Sequence, residues 1–173
     1  MNALVAVASK HGSTHEIANA ITEGLRAAGL SADLRKAQDV TSIGDYDAVI
    51  IGSAIYMGGW MPEARDLIER FESRLATLPV WLFSSGPLGT DDPQPAGDPS
   101  QLPDLIEKTH AREHRIFTGK LDRNDLGLGE RMITRMVHAP DGDFRDWEAI
   151  HAWAREIVAR LGLAANAHST NLR

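Results

Sequence analysis

The run Ala3-Leu4-Val5-Ala6-Val7-Ala8, followed by Ser9-Lys10-His11-Gly12-Ser13-Thr14, decides the fold. A short unbroken apolar run that ends in turn-forming residues is typical of a strand buried on both faces of a sheet. Apolar side chains then recur at four-residue steps at Ile17, Ile21 and Leu25. This spacing predicts an amphipathic helix over residues 14–28, capped by Ser13 or Thr14 and ended by Gly29.

The same alternation of strands and helices continues along the chain. Further strands are predicted at 31–36, 48–52, 79–84 and 115–119, and further helices at 62–75, 102–111 and 146–161. Alternating strands and helices predict an α/β domain with a five-stranded parallel sheet and helices on both faces. We expect one domain over residues 1–162, an insertion at about 120–144, and a disordered tail at 163–173.

Composition excludes several classes of protein. The chain has 173 residues, no cysteine and a formal net charge of −6. Without cysteine there is no disulfide framework, thiolate metal site or catalytic thiol, and the acidic balance argues against a nucleic-acid binder. The chain shows no membrane-spanning apolar run and no signal peptide, so we expect a cytoplasmic protein. Peripheral contact with a membrane and a homo-oligomer both stay open.

The polar turn at residues 9–14 has the composition of an anion site. Ligands of such sheets lie beyond the carboxyl ends of the strands, where this turn would be. Gly12 permits a tight turn, and the hydroxyls of Ser9, Ser13 and Thr14 lie beside the amides of a helix start. This favours one phosphate group, since the patterns GxxxxGK[ST] and GxGxxG are absent. The alternative is an ordinary polar turn with a serine cap.

Two more loops are predicted at the same edge of the sheet. The loop at residues 52–60 contains Tyr56 and Trp60, on which a planar ring could stack, and the pair Gly58-Gly59, which lets a carbonyl reverse direction. The alternative is that both aromatic side chains cover the core. The loop at 84–89 offers small residues and backbone amides.

These loops resemble those of flavodoxin-type FMN proteins. The turn SKHGST at residues 9–14 is similar to their phosphate loop, with His11 where threonine is usual. The stretches ASKHGSTHEIA, DYDAVIIGSAIYMGGW and DFRDWEAIHAWAREIVARL resemble the menaquinone-dependent protoporphyrinogen IX dehydrogenase branch. That branch also carries an insertion before the last helix. The resemblance reaches to about residue 161 and implies a flavodoxin-like fold with strand order 2-1-3-4-5 and FMN as cofactor.

The resemblance also implies roles for individual residues. The FMN phosphate would be held by Ser9, Lys10, His11, Gly12, Ser13 and Thr14. One side of the isoalloxazine would be lined by Ala54, Ile55, Tyr56, Met57 and Gly58, and the other by Ser85, Gly86, Pro87, Leu88 and Gly89. A carbonyl near Met57 and Gly58 would meet the flavin N5 proton. Because the chemistry belongs to the flavin, no catalytic side chain is nominated.

Two functions remain open. The first is an FMN-dependent oxidoreductase that passes electrons from a reduced organic donor, such as a protoporphyrinogen-like molecule, to a quinone-type acceptor. The second is an electron carrier between redox proteins. A phosphate-switched receiver domain is excluded, because Ser9 and Gly52-Ser53 stand where it needs acidic residues. A metal site at His11 and His15 is disfavoured, because these residues flank the predicted phosphate loop.

The insertion bears on this choice. Met132, Ile133, Met136 and Val137 would share one face of a short helix, with arginines nearby, as a lid over a quinone or porphyrin would need. That favours the enzyme; the alternative is packing against the domain or a partner subunit. The acidic loop at residues 91–98 stands where the protoporphyrinogen branch is basic, which disfavours a dianionic porphyrin.

Overall fold

The computed structural model describes residues 1–56, 58–86, 100–121 and 142–170. Its strands are β1 (Asn2–Ala8), β2 (Ser31–Lys36), β3 (Ala48–Tyr56), β4 (Gly59–Trp60), β5 (Val80–Ser85), β6 (Glu113–Phe117), β7 (Lys120–Leu121) and β8 (Gly142–Asp143). Its helices are α1 (Ser13–Ala27), α2 (Pro62–Leu75), α3 (Leu102–Thr109) and α4 (Trp147–Thr170). A single 3₁₀ turn, Ala37–Asp39, follows β2.

The central sheet has the order β2-β1-β3-β5-β6, and these five strands are parallel. When the short strand β4 is left out of the count, this is the order 2-1-3-4-5. The α/β flavodoxin-like fold and the strand order predicted from the sequence are therefore confirmed. The short strand β4 pairs antiparallel with the end of β3, and β7 pairs with β8 in a separate two-stranded ribbon. The strand predicted at residues 31–36 occurs as Ser31–Lys36, at one end of the sheet.

Helices cover both faces of the sheet because its central strands are apolar on both sides. On one face, Val5, Ile50 and Phe83 pack against α1 and α4. On the other, Leu4, Ile51 and Leu82 pack against α2 and α3. The carboxyl ends of β1, β3 and β5 therefore open on one edge of a rigid sheet, between the two helical layers.

Strand β3 is longer than the sequence predicted. The expected strand ended at Gly52, but β3 continues to Tyr56, and Gly52 pairs with Phe83 of β5. A Cβ at position 52 would lie 2.0 Å from Cζ of Phe83, so the glycine makes room for the phenylalanine ring. The predicted loop at 52–60 is accordingly wrong over residues 52–56, which are strand.

Helix α4 also extends beyond its predicted end. It reaches Thr170, so the backbone of residues 163–170 is helical where we expected a disordered tail. The alanines of this stretch, Ala164, Ala165 and Ala167, have the highest helix propensity, which accounts for the continuation. The domain boundary at residue 162 stays a prediction.

No helix within the described ranges is long and apolar enough to cross a bilayer. The cytoplasmic location and the lack of nucleic-acid binding remain predictions from the sequence, and peripheral membrane contact and a homo-oligomer remain open. The methionine- and arginine-bearing helix predicted near residues 131–137 lies outside the described residues, as does the acidic loop at 91–98.

Candidate functional site

The loop between β1 and α1, residues 9–12, and the first turn of α1 together have the backbone shape of an anion cradle. Gly12 adopts a left-handed conformation with φ of +85°, which disfavours any residue with a Cβ. The Gly12 N–H donates to Ser9 Oγ at 3.1 Å, so Ser9 closes the turn. A Cβ built at Gly12 would meet nothing within 4 Å, so the space in front of the helix is open.

Backbone amides at the start of α1 face this open space. The first helical hydrogen bond is donated by the Glu16 N–H to the Gly12 carbonyl at 3.0 Å. The amides of Ser13, Thr14 and His15 precede that bond and therefore have no carbonyl of their own helix to bind. Gly12 occupies the N-cap position and no side chain caps this helix start. An uncapped helix N-terminus attracts anions through its amides and its dipole.

The predicted side-chain cap of α1 is wrong. Ser13 Oγ accepts a hydrogen bond from the Lys120 N–H at 3.2 Å, and Thr14 is buried with 2% of its surface exposed. Neither hydroxyl therefore caps the helix, and the amides of Ser13, Thr14 and His15 are the donors that lack a carbonyl of their own helix.

The second predicted element is a hairpin made by β3 and β4. Ile55 pairs with Trp60 and Tyr56 with Gly59, and Gly58 turns the chain with φ of +79°. Met57 lies outside the described residues. The hairpin carries Tyr56 to the sheet edge that also holds the β1–α1 loop, and the Lys10 ammonium lies 3.7 Å from the centroid of the Tyr56 ring.

Trp60 is structural rather than a stacking platform. It is 3% exposed, and its indole N–H donates to Ser84 Oγ at 2.7 Å. Its backbone N–H donates to Gln101 Oε1 at 3.0 Å, and the following Met61 N–H donates to Ser53 Oγ at 2.9 Å. The alternative interpretation, that this aromatic covers the core, is the one the structure supports. Tyr56, with 39% of its surface exposed, stays at the mouth.

The third predicted element follows β5. Ser85 is the last residue of that strand and is buried, so it is not a loop residue as expected. Gly86 lies so close to β3 that a Cβ there would come within 2.8 Å of the Ile55 Cβ. Gly86 therefore packs directly against Ile55, and the ends of β3 and β5 lie side by side at this edge of the sheet. Pro87, Leu88 and Gly89 lie outside the described residues.

Two contacts of the site were missed in the sequence. Ser84 Oγ, which accepts from Trp60, also lies 2.8 Å from His114 Nε2. The residues around His114 in the sequence do not predict this contact, since Ser84 lies 30 residues away in the chain. Arg145 was also missed: its side chain is 3% exposed and forms ion pairs of 2.6 Å with both Asp143 and Glu16.

Short hydrogen bonds stabilise the charged forms of Arg145 and Asp143, which with Glu16 form one ionic cluster. Chiefly through its hydrogen bonds, Arg145 lowers the pKa of the Asp143 carboxyl. Reciprocally, the hydrogen bond with Asp143, more than that with Glu16, raises the pKa of the Arg145 guanidinium. The cluster lies against the first turn of α1, because Arg145 Nη1 also approaches the Ser13 carbonyl at 3.4 Å.

The residues present fit a phosphate-bearing planar ligand. The helix start at the left-handed Gly12, the exposed Tyr56 and the adjoining ends of β3 and β5 lie at one edge of the sheet, at its topological switch point. Within the described parts of the chain, no group of three or more His, Asp or Glu side chains is placed to hold a metal ion. The fold defines an α/β protein of the flavodoxin-like class.

Comparison with known proteins gives the family. The Flavodoxin domain family matches residues 4–147, so the chain belongs to the flavodoxin domain family, and its cofactor is a flavin. The protoporphyrinogen IX dehydrogenase (quinone) of Escherichia coli strain K12 is 26% identical over 172 residues, which cover 91% of this chain and 95% of that protein.

Solved structures agree on the fold. The flavodoxin of Streptococcus pneumoniae matches 92% of this chain and 99% of its own with a TM-score of 0.58 and 20% identity. The rubredoxin oxygen:oxidoreductase of Desulfovibrio gigas matches 94% of this chain and 36% of its own with a TM-score of 0.64 and 14% identity. Both therefore share the arrangement of strands and helices.

Proposed function

We propose that this protein is an FMN-dependent oxidoreductase that passes electrons from a reduced organic donor to a quinone-type acceptor. The observation that carries the proposal is the similarity to protoporphyrinogen IX dehydrogenase (quinone) along almost the whole of both chains. That similarity is not confined to the cofactor loops, so it also bears on the reaction. A protoporphyrinogen-like donor is the substrate class it suggests.

FMN is the flavin that the β1–α1 loop suits. The amides of Ser13, Thr14 and His15 offer donors to one terminal phosphate, and the α1 dipole favours its negative charge. Gly12 allows the phosphate to approach the backbone closely. Ser9 holds the turn shut, while Lys10 and His11 are the polar side chains at its mouth.

The residues at and after the ends of β3 and β5 would orient and shield the flavin ring. Ala54, Ile55 and Tyr56 at the end of β3 would line one side, together with Met57 and Gly58, and Ser85 and Gly86 the other, continued by Pro87, Leu88 and Gly89. Gly58 can reverse its peptide at low cost, so a carbonyl there can accept a hydrogen bond from an N–H of the ring. The bound flavin would supply one- and two-electron transfer, and the protein supplies position and electrostatics.

Hydrogen bonds to neighbouring elements hold the β3–β4 hairpin in place. Ser53, Ser84 and Gln101 each accept a hydrogen bond from the Trp60–Met61 region. A Cβ at Gly59 would lie 2.7 Å from the Gln101 amide, so that side chain lies flat against the hairpin backbone. The turn that faces the ring is thereby tied to β5 and to the start of α3.

An electron carrier between redox proteins is the second candidate. The net charge of −6 favours it, since an acidic surface can dock with a basic redox partner. The solved flavodoxin of Streptococcus pneumoniae shares this fold over 92% of this chain.

Single-turnover kinetics on the purified, FMN-loaded protein tests the two candidates. Bound flavin is mixed with protoporphyrinogen, other reduced organic donors or a reduced redox protein, and then with a menaquinone analogue or an oxidised redox protein. The enzyme predicts fast reduction by an organic donor and fast reoxidation by the quinone. Exchange with redox proteins alone would contradict it and identify a carrier. Colourless protein that does not bind FMN would contradict both.

A further inference from the structure

Arg145 fastens the chain that follows β8 to the first turn of α1. Its Nε and Nη2 atoms donate to the Asp143 carboxylate at 2.8 and 2.6 Å. Its Nη1 atom donates to Glu16 Oε2 at 2.6 Å and to the Ser13 carbonyl at 3.4 Å. The side chain is 3% exposed, so one buried guanidinium holds two carboxylates and a helix carbonyl.

The chain on the other side of the 122–141 segment reaches the same place. The Lys120 N–H donates to Ser13 Oγ at 3.2 Å, and Lys120 pairs with Asp143 in the β7–β8 ribbon. The Phe144 N–H donates to the Gly119 carbonyl at 3.1 Å, which closes the base of the ribbon. Both ends of the segment are therefore held against Ser13.

This contact acts on the peptide that forms the cradle. The Ser13 carbonyl and the Thr14 N–H belong to one planar peptide unit and point in opposite directions. A donor on the carbonyl therefore fixes where the Thr14 N–H points and strengthens it as a donor. The Thr14 N–H is one of the three amides that precede the first helical hydrogen bond of α1.

The contact also sets the local charge. Glu16 and Asp143 are carboxylates near a helix start that would receive a phosphate, and the Arg145 cation offsets one of the two charges. Without the guanidinium, both carboxylates would repel the incoming phosphate. Glu16 and Asp143 are 53% and 41% exposed, so solvent and salt would screen part of this repulsion.

We propose that Arg145 is a positioning residue of the cofactor site, which holds the Ser13–Thr14 peptide for the FMN phosphate and couples phosphate binding to the ends of the 122–141 segment. This rests on the proposed binding of FMN. The coupling is reciprocal, so a bound phosphate group strengthens the Lys120 and Arg145 contacts in turn.

Affinities for FMN and riboflavin, measured by quenching of flavin fluorescence, test the role, because riboflavin lacks only the phosphate. Arg145→Met is compared with the wild type, with Arg145→Lys and with Arg160→Met. Arg160 is a control for the loss of an arginine–carboxylate pair, since it pairs with Glu113 at 2.9 Å, although it is more exposed, at 46%. We expect Arg145→Met to weaken FMN at least about tenfold and riboflavin less than about threefold, with Arg160→Met unchanged.

Arg145→Lys should recover part of the lost FMN affinity, because it restores the positive charge but not the several hydrogen bonds that the planar guanidinium donates. Hydrogen exchange gives a second readout: FMN, but not riboflavin, should slow exchange of the Lys120 amide in the wild type and not in Arg145→Met. If Arg145→Met does not fold, Arg145→Lys decides, with an FMN-to-riboflavin affinity ratio below that of the wild type.

An FMN-to-riboflavin affinity ratio that stays at the wild-type value in both Arg145 variants would overturn the role of Arg145 while leaving the phosphate site intact. A wild type that binds riboflavin as tightly as FMN would overturn the phosphate site itself. The two failures are therefore distinguishable.

Discussion

Replacing Gly12 by asparagine or by aspartate separates backbone strain from charge at the start of α1. The two side chains have nearly the same shape, and both tolerate the left-handed conformation better than other residues with a Cβ. Gly12 has φ of +85° and nothing within 4 Å of a Cβ, so both substitutions meet the same strain and the same open space. They differ in one negative charge beside the cradle.

The charge should dominate the difference. Left-handed strain costs about 1–2 kcal/mol at most and is shared by both variants. A carboxylate about 6 Å from a phosphate charge, at an effective dielectric constant of about 20, adds a repulsion of about 3 kcal/mol. That corresponds to about a hundredfold weaker FMN binding for Gly12→Asp than for Gly12→Asn.

Fluorescence titration of both variants with FMN and with riboflavin measures this difference. Riboflavin should bind the two variants equally, since it has no phosphate to repel. Equal FMN affinities for Gly12→Asp and Gly12→Asn would refute the reasoning, because the phosphate would then lie away from Gly12. Thermal unfolding of the two apoproteins provides the control for folding.

Two further predictions concern stability. Arg145 lowers the pKa of Asp143 in the folded protein. The stabilisation that this ion pair gives is therefore complete above the unfolded pKa of about 4, and it is lost as pH falls through the lower folded pKa. Asp143→Asn should therefore flatten the acid limb of urea stability below about pH 4, and an unchanged limb would contradict this. Gly52→Ala should cost about 3 kcal/mol of unfolding free energy, since its Cβ would overlap the Phe83 ring. Gly162→Ala, in an open helical position, should be neutral or stabilising by up to about 1 kcal/mol; equal effects of the two would contradict the packing argument.

The central strands β1, β3 and β5 could be predicted because burial on both faces requires an apolar run. The end of β3 could not, since Gly52 looks like a turn residue until Phe83 is known to pack over it. A glycine has the same letter whether it bends the chain or makes room for a ring from a neighbouring strand. Only the pairing of β3 with β5 distinguishes the two roles.

The site shows the same division between local and distant information. The helix start and the left-handed glycine follow from residues 9–14 alone. The cap did not, because Ser13 Oγ accepts from Lys120, which is 107 residues away. Arg145 pairs with Glu16 across 129 residues, and Trp60 is turned inward by Ser84. Side chains whose partners are brought by the fold carry no local pattern.

The most direct test of the account is a crystal structure of the protein with FMN bound. We predict phosphate oxygens within about 3 Å of the backbone nitrogens of Ser13, Thr14 and His15, and the ring between the β3–β4 hairpin and the residues after β5. A phosphate held elsewhere, by side chains remote from Gly12, would contradict the account.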